Sequence, residues 1–143
     1  MKRFACSILF VCLISVSIFA QTNFCQLCIK GSPSEISDAL LSGASVNERD
    51  SSDWTPLIAA ATSNKNPKVI SLLLKAGSDI EAVDNVGQTA LFHAAGMNDN
   101  PEVTATLLKA GASTKVRSKL FGWTPLINAV SFNHPAVITL LVD

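Results

Sequence analysis

The chain has 143 residues, 48% of them apolar, and its 11 Lys+Arg balance its 11 Asp+Glu to a formal net charge of zero. This length gives one domain as the prior, and the zero balance removes the electrostatic case for a nucleic-acid partner or a polybasic membrane-surface patch. Six Pro, seven Gly and four Cys exclude collagen-like, low-complexity and disulfide-scaffold compositions.

The chain opens with an address. Met1, Lys2 and Arg3 form a short basic start, and Phe4 to Ala20 follow as 17 residues, 14 apolar and three Ser, without a charge. A membrane span needs about 20 such residues, whereas the basic, apolar, small-residue order fits a secretory signal peptide over residues 1–20. Cleavage is expected after Ala20, with Ser17 as the alternative site; an uncleaved N-terminal anchor is the competing reading. Removing Lys2 and Arg3 leaves nine basic and 11 acidic side chains, a net of −2, and only Cys25 and Cys28 remain of the cysteines. The expectation is an exported protein, periplasmic or secreted, without a membrane attachment after cleavage. The short leader favours a bacterial envelope.

The rest of the chain repeats itself. Thr55-Pro56-Leu57-Ile58-Ala59-Ala60-Ala61 recurs as Thr89-Ala90-Leu91-Phe92-His93-Ala94-Ala95 and as Thr124-Pro125-Leu126-Ile127-Asn128-Ala129-Val130, with starts 34 and 35 residues apart. Gly43, Gly77 and Gly111, each closing a Leu-x-x-Gly phrase and followed by Ala or Ser, recur every 34 residues. Two independent phrases on one beat identify a repeat architecture. Thr55 and Thr124 stand where a hydroxyl can cap a helix, and Pro56 and Pro125 follow at the first helical position, where the missing N–H is harmless. Asn66-Pro67, Asn100-Pro101 and His134-Pro135 end this short helix and start another. Val69, Leu72 and Leu73 give the second helix an apolar stripe, and Gly77 supplies its left-handed stop. Each unit therefore reads as helix, turn, helix and an extended, hairpin-like finger. No unit buries its own apolar face, so stacking builds the core. The fold class is an all-α repeat solenoid of stacked helix-turn-helix units with β-hairpin-like fingers.

These phrases resemble the ankyrin repeat. The family's Thr-Pro-Leu-His-x-Ala phrase is present three times in degraded form, and its Gly-Ala ending appears in Gly43-Ala44-Ser45-Val46-Asn47. The resemblance spans roughly Phe24 to Asp143 and divides the chain into a partial capping repeat over 21–49, repeats over 50–83 and 84–117, and a truncated repeat over 118–143. Ile58, Phe92 and Ile127 replace the family's histidine, trading a hydrogen bond between units for apolar packing. In the partial repeat, Phe24, Cys25 and Cys28 are expected in apolar slots of the first helix, and Ile36, Ala39, Leu40 and Leu41 in those of the second. At the other end no Gly or polar cap follows Leu141. The expectation is a fragment of a longer parent or a reading frame cut short; as written, Val137, Ile138, Leu140 and Leu141 would leave an exposed apolar edge.

No catalytic, cofactor or metal site is expected. Cys25-Gln26-Leu27-Cys28 has redox or zinc spacing, but the redox reading lacks a thioredoxin-like context and the zinc reading lacks two more ligands. Packing of both thiols as small hydrophobes and a local Cys25–Cys28 disulfide remain the two main alternatives. No Gly-x-Ser-x-Gly elbow, phosphate loop or His-Glu-x-x-His is present. What remains is surface. The family resemblance implies a concave binding face of finger tips and inner helices. On the tips it would use Ser51, Ser52, Asp53 and Trp54, then Asn85, Val86 and Gln88, then Leu120, Phe121 and Trp123. On the inner helices it would use Thr62 and Ser63, His93 and Met97, and Asn128 and Phe132. Trp54 and Trp123 are either interface anchors or covers for the finger bases. The leading function is an exported module that binds another protein. The alternatives are a chaperone-like stabiliser of an envelope enzyme, or the repeat segment of a larger enzyme or toxin.

Overall fold

The computed structural model describes residues 24–132 and 134–143, and the leader expected over residues 1–20 lies outside the described residues. Helices α1 (24–30) and α2 (Pro33–Leu41) form the first pair. The second is α3 (Pro56–Ser63) with α4 (Pro67–Lys75), and the third is α5 (Ala90–Met97) with α6 (Pro101–Lys109). The fourth is α7 (Pro125–Ser131) with α8 (Pro135–Val142). Helices α3, α5 and α7 pack in one row, and α2, α4, α6 and α8 in a second. Among the described residues there is no regular strand; the fingers carry one isolated antiparallel bridge, Val83 to Thr89. The architecture is the expected all-α solenoid.

Local sequence explains where each helix begins. The hydroxyls of Thr55 and Thr89 accept from the amides of Ile58 and Phe92 at 3.3 Å, and Thr124 accepts from Ile127 at 3.4 Å. Each satisfies a donor that the first helical turn leaves free. Ser32 and Glu35 close a capping box on α2, and Asn66 and Asn100 cap α4 and α6. Helices α2, α4 and α6 stop at Gly43, Gly77 and Gly111, whose φ angles of 95°, 96° and 93° are those a left-handed terminus requires.

The core runs along the stack. Seven of the eight residues of α3, and seven of the eight of α5, are buried. On the outer row Ile70, Leu73, Val103 and Leu107 are fully enclosed. Burying a side chain of this size is worth about 1.5–3 kcal/mol, so the interfaces between pairs, rather than any single pair, hold the fold. Two expectations change here. Leu41 is 84% exposed, because its position on the last turn of the outer helix faces solvent in the following units as well, where Lys75 and Lys109 stand exposed. Val137 is 2% exposed and packs with Ala95 and Ala129, while Ile138, Leu140 and Leu141 are half-buried. The exposed apolar side chains at this end are instead Ile127, Val130, Phe132 and Val142.

A polar ladder also ties the pairs together. Buried Asn64 donates from Nδ2 to the carbonyls of Cys28 (3.0 Å) and Gly31 (2.9 Å), and its Oδ1 accepts from the amide of Asn66 at 3.0 Å. Asn98 repeats the arrangement one unit on, donating to Ala61 (2.9 Å) and Asn64 (3.0 Å) and accepting from Asn100 (2.9 Å). These bonds take over the polar stitching between units that Ile58 and Phe92 cannot provide.

Candidate functional site

The fingers are three versions of one turn. In finger 1 (44–54) the carboxylate of Asp50 accepts from the amides of Ser52 (2.8 Å) and Trp54 (3.0 Å). In finger 2 (78–88) Asp84 Oδ1 accepts from Val86 (3.0 Å) and Gln88 (2.9 Å). In finger 3 (112–123) Ser118 takes this place, and its hydroxyl accepts from Trp123 at 3.2 Å. Each turn needs one left-handed residue, supplied by Asp53 (φ 64°), Gly87 (75°) and Gly122 (64°). Neighbouring fingers are joined side by side. Arg49 donates to the carbonyl of Val83 at 2.8 Å, and the amide of Lys119 donates to Val86 at 2.8 Å.

The structure sorts the expected contact residues into two sets. Ser51, Ser52, Asn85 and Ser63 are exposed, and Asp53, Val86 and Gln88 are partly so. Leu120 and Phe121 are 66% and 73% exposed at the tip of finger 3. Met97 and Phe132, at equivalent positions near the ends of α5 and α7, are 48% and 53% exposed. Thr62, His93 and Asn128 form the second set and are corrections: each is buried by its own chain and presents nothing to a partner. Thr62 donates back to Ile58 at 2.7 Å, and Asn128 donates to the carbonyl of Phe92 at 2.9 Å. His93 hydrogen-bonds through Nε2 to Asp84 Oδ2 at 2.9 Å.

The two tryptophans differ. Trp54 is half-buried against the main core, with its ring 5.0 Å from that of His93 in an edge-on arrangement, so it covers a finger base. Trp123 is half-buried and lies 5.6 Å from Phe121, which leaves an aromatic pair at the tip of finger 3.

Burial pushes the His93 ring below its ordinary value of 6.5, against an opposing pull from Asp84. Asp84 Oδ1 already serves two amides, and a carboxylate can only accept, so the bond requires the proton on Nε2. Nδ1 is then a buried nitrogen without a partner.

Cys25 and Cys28 are free and buried. Burial, with Glu48 and Asp50 behind it, pushes the Cys25 thiol up to about 12. Burial and then Cys25 and Glu48 do the same for Cys28, also to about 12. Thiols held this far from the thiolate form pack as small hydrophobes; the structure does not pair them as a disulfide. Among the described residues no three His, Cys, Asp or Glu side chains are grouped to hold a metal, and no helix is long and apolar enough to cross a membrane.

An open cleft of about 620 Å³ lies at the turns of the first two pairs, with Lys30, Ser32, Glu35, Ser63, Lys65 and Asn66 in its lining. Its polar groups are largely spent: Ser32 and Glu35 bond each other, Asn66 caps α4, and Lys65 pairs with Asp99 at 2.9 Å. Of the expected contact residues it gathers only Ser63. The asparagine ladder and the Asp84–His93 pair are what a sequence reading misses. The signal for the first was the recurring Asn-x-Asn-Pro at 34-residue spacing.

Residues 24–118 match the family model described as ankyrin repeats in three copies. No curated protein matches the chain.

Proposed function

The chain belongs to the ankyrin-repeat family, and from that premise we propose that it is an exported protein-binding module. Its contact face is the row of finger tips continued onto the exposed ends of the inner helices. Ankyrin repeats mediate protein–protein interaction, and the fold prescribes no particular ligand. One observation carries the choice of face. Leu120 and Phe121 stand in solvent at 66% and 73% exposure, beside Trp123, and serve no part of their own core. From Leu120 to Val142 there is no Asp, Glu, Lys or Arg. Aromatic side chains clustered in an uncharged surface have the composition of an interface centre. The mechanism is surface complementarity, without bond-making chemistry.

The test is site-specific photo-crosslinking in the native cell. A photoreactive residue replacing Phe121 is expected to capture a discrete partner, and one replacing Ser71 on the outer row is not. Equal labelling at both positions, or none at either, contradicts the reading. Export rests on the charge-free run Phe4–Ala20. It is tested by the N-terminus of protein recovered from cells: Gln21 is expected, and retention of Met1 in the cytosol contradicts it.

A further inference from the structure

Finger 2 differs from finger 1 in one respect that its surface does not show. Both turns are organised by an aspartate, but only Asp84 has its second oxygen bonded to a side chain of the inner helix. The residue at the His93 position is Ala59 in the second pair and Asn128 in the fourth, so neither adjoining unit has an ionisable group there. The His93 and Asp84 side chains are 4% and 2% exposed. Nδ1 has no partner, and the rings of Trp54 and Phe92 stand edge-on to the imidazole at 5.0 and 6.3 Å.

We propose that the His93–Asp84 pair is an acid-sensitive latch that holds finger 2 against α5 and releases it when Nδ1 takes up a proton. The neutral ring leaves only a bare lone pair without a partner. The protonated ring places an N–H with no acceptor in an apolar pocket, and a buried donor left unmatched is costly. Water must reach Nδ1 to satisfy it, and the finger covering the ring is the part able to move. Apart from the latch, finger 2 is joined to its neighbours by exposed bonds, from the Asp79 amide to Asn47, from Arg49 to Val83, from Lys119 to Val86 and from the Ser113 amide to Glu81, and to the start of α5 by the Val83–Thr89 bridge.

The charged surroundings are simple. Helices α3, α5 and α7 contribute no ionisable side chain except His93. Finger 1 contributes Glu48, which lies against the Cys25 thiol, Asp50, which is spent on its own turn, and Arg49 and Asp53, which pair with each other at 3.2 Å. Finger 3 contributes Lys119, whose stem lies over Gly87, Arg117, which bonds its own finger at the Gly122 carbonyl, and the exposed Lys115. Asp84 alone bonds the ring. Because burial lowers the imidazole in the folded state, the unfolded or opened form binds the proton more readily. The latch is therefore complete above the ordinary histidine value of 6.5 and weakens as the pH falls below it. Asn85, Val86 and Gln88 ride on this finger. Acid release of a bound partner would follow, a consequence that rests on the binding reading above; the test below reads the finger alone.

The test is residue-resolved amide hydrogen exchange of the full chain between pH 7.5 and 4.5, with the His93 imidazole followed by NMR in the same samples. Protection of the Val86 and Gln88 amides is expected to fall up to about tenfold per pH unit below 6.5, as loss of one proton-linked contact requires. The Ser52 and Trp54 amides, held by Asp50 in the same way, are expected to keep their protection. In His93→Gln, whose amide can still donate to Asp84 but does not titrate, the finger 2 profile should be flat. Parallel loss in both fingers means carboxylate titration or general acid unfolding and overturns the proposal. So does a His93→Gln profile that matches the unaltered chain. Should that variant fail to fold, the unaltered chain still decides. A ring that protonates while finger 2 holds, a finger that opens while the ring stays neutral, or neither event down to pH 4.5 each overturns it.

Discussion

Helices α5 and α7 are built from the same phrase and end up in different environments. Both start at a threonine cap, and both place a Leu followed by a second large apolar residue in their first turn. Yet Phe92 is 4% exposed and Ala95 is fully buried, whereas Ile127 and Val130, their counterparts, are 40% and 57% exposed. The difference is the neighbour. Helix α5 is packed between α3 and α7, while α7 packs against α5 on one side. The phrase determines that a helix forms and where it begins; burial is a property of two adjacent units.

The largest test of that contrast is Leu91→Ala against Leu126→Ala. Leu91 is fully enclosed and Leu126 only half-buried, so unfolding in urea should show a loss of about 3–4 kcal/mol for the first and about half that for the second. Equal losses would mean that the inner row is not closed asymmetrically. The same contrast holds at the turns between helices. Asn98→Ala leaves two carbonyls and the Asn100 amide unmatched and should cost about 2–3 kcal/mol. His134, which makes a single bond to the Gly96 carbonyl at 3.2 Å and is only part-buried, should cost about 1 kcal/mol or less when changed to Ala. A smaller effect lies between the two helices. A methyl on Gly96 would run into the amide of Asn128, so Gly96→Ala should destabilise by about 1–2 kcal/mol despite its better helix propensity. In the Asn128→Ala background, calorimetry should find the same change neutral or favourable. The smallest effect is in the fingers. Asp53→Gly relieves the left-handed strain of finger 1 and gives up only an exposed pair with Arg49. A gain of up to about 1 kcal/mol is expected, read as a small rise in Tm.

These contrasts also explain what was legible in advance. The repeat period, the threonine and proline starts and the glycine stops were all readable, because each depends on one or two residues and their own backbone. The exposed tips Leu120 and Phe121 were readable as finger positions. The burial of His93, Thr62 and Asn128 was not, because it depends on the adjoining units and on Trp54 rather than on their own helix. Asn64 and Asn98 were visible as helix breaks, but their second role needs the preceding pair in place before the carbonyls they bond exist as targets. Val137 reads as part of an exposed edge in the sequence for a related reason. The face of α8 that meets Ala95 and Ala129 depends on the stacking angle, which periodicity within one helix does not supply.

The central claim is that the finger face, and the uncharged tip of finger 3 above all, is where another protein binds. It is tested most directly by the affinity of the crosslinked partner for two double variants matched in fold by circular dichroism and Tm. Leu120→Ser with Phe121→Ser removes the exposed apolar tip, and Lys68→Ser with Lys75→Ser alters the outer row by as many residues. The expected loss is at least about thirtyfold for the first pair, the equivalent of the about 2 kcal/mol that defines a binding hot spot, and less than threefold for the second. An unchanged affinity in the first pair, or a larger loss in the second, would contradict it.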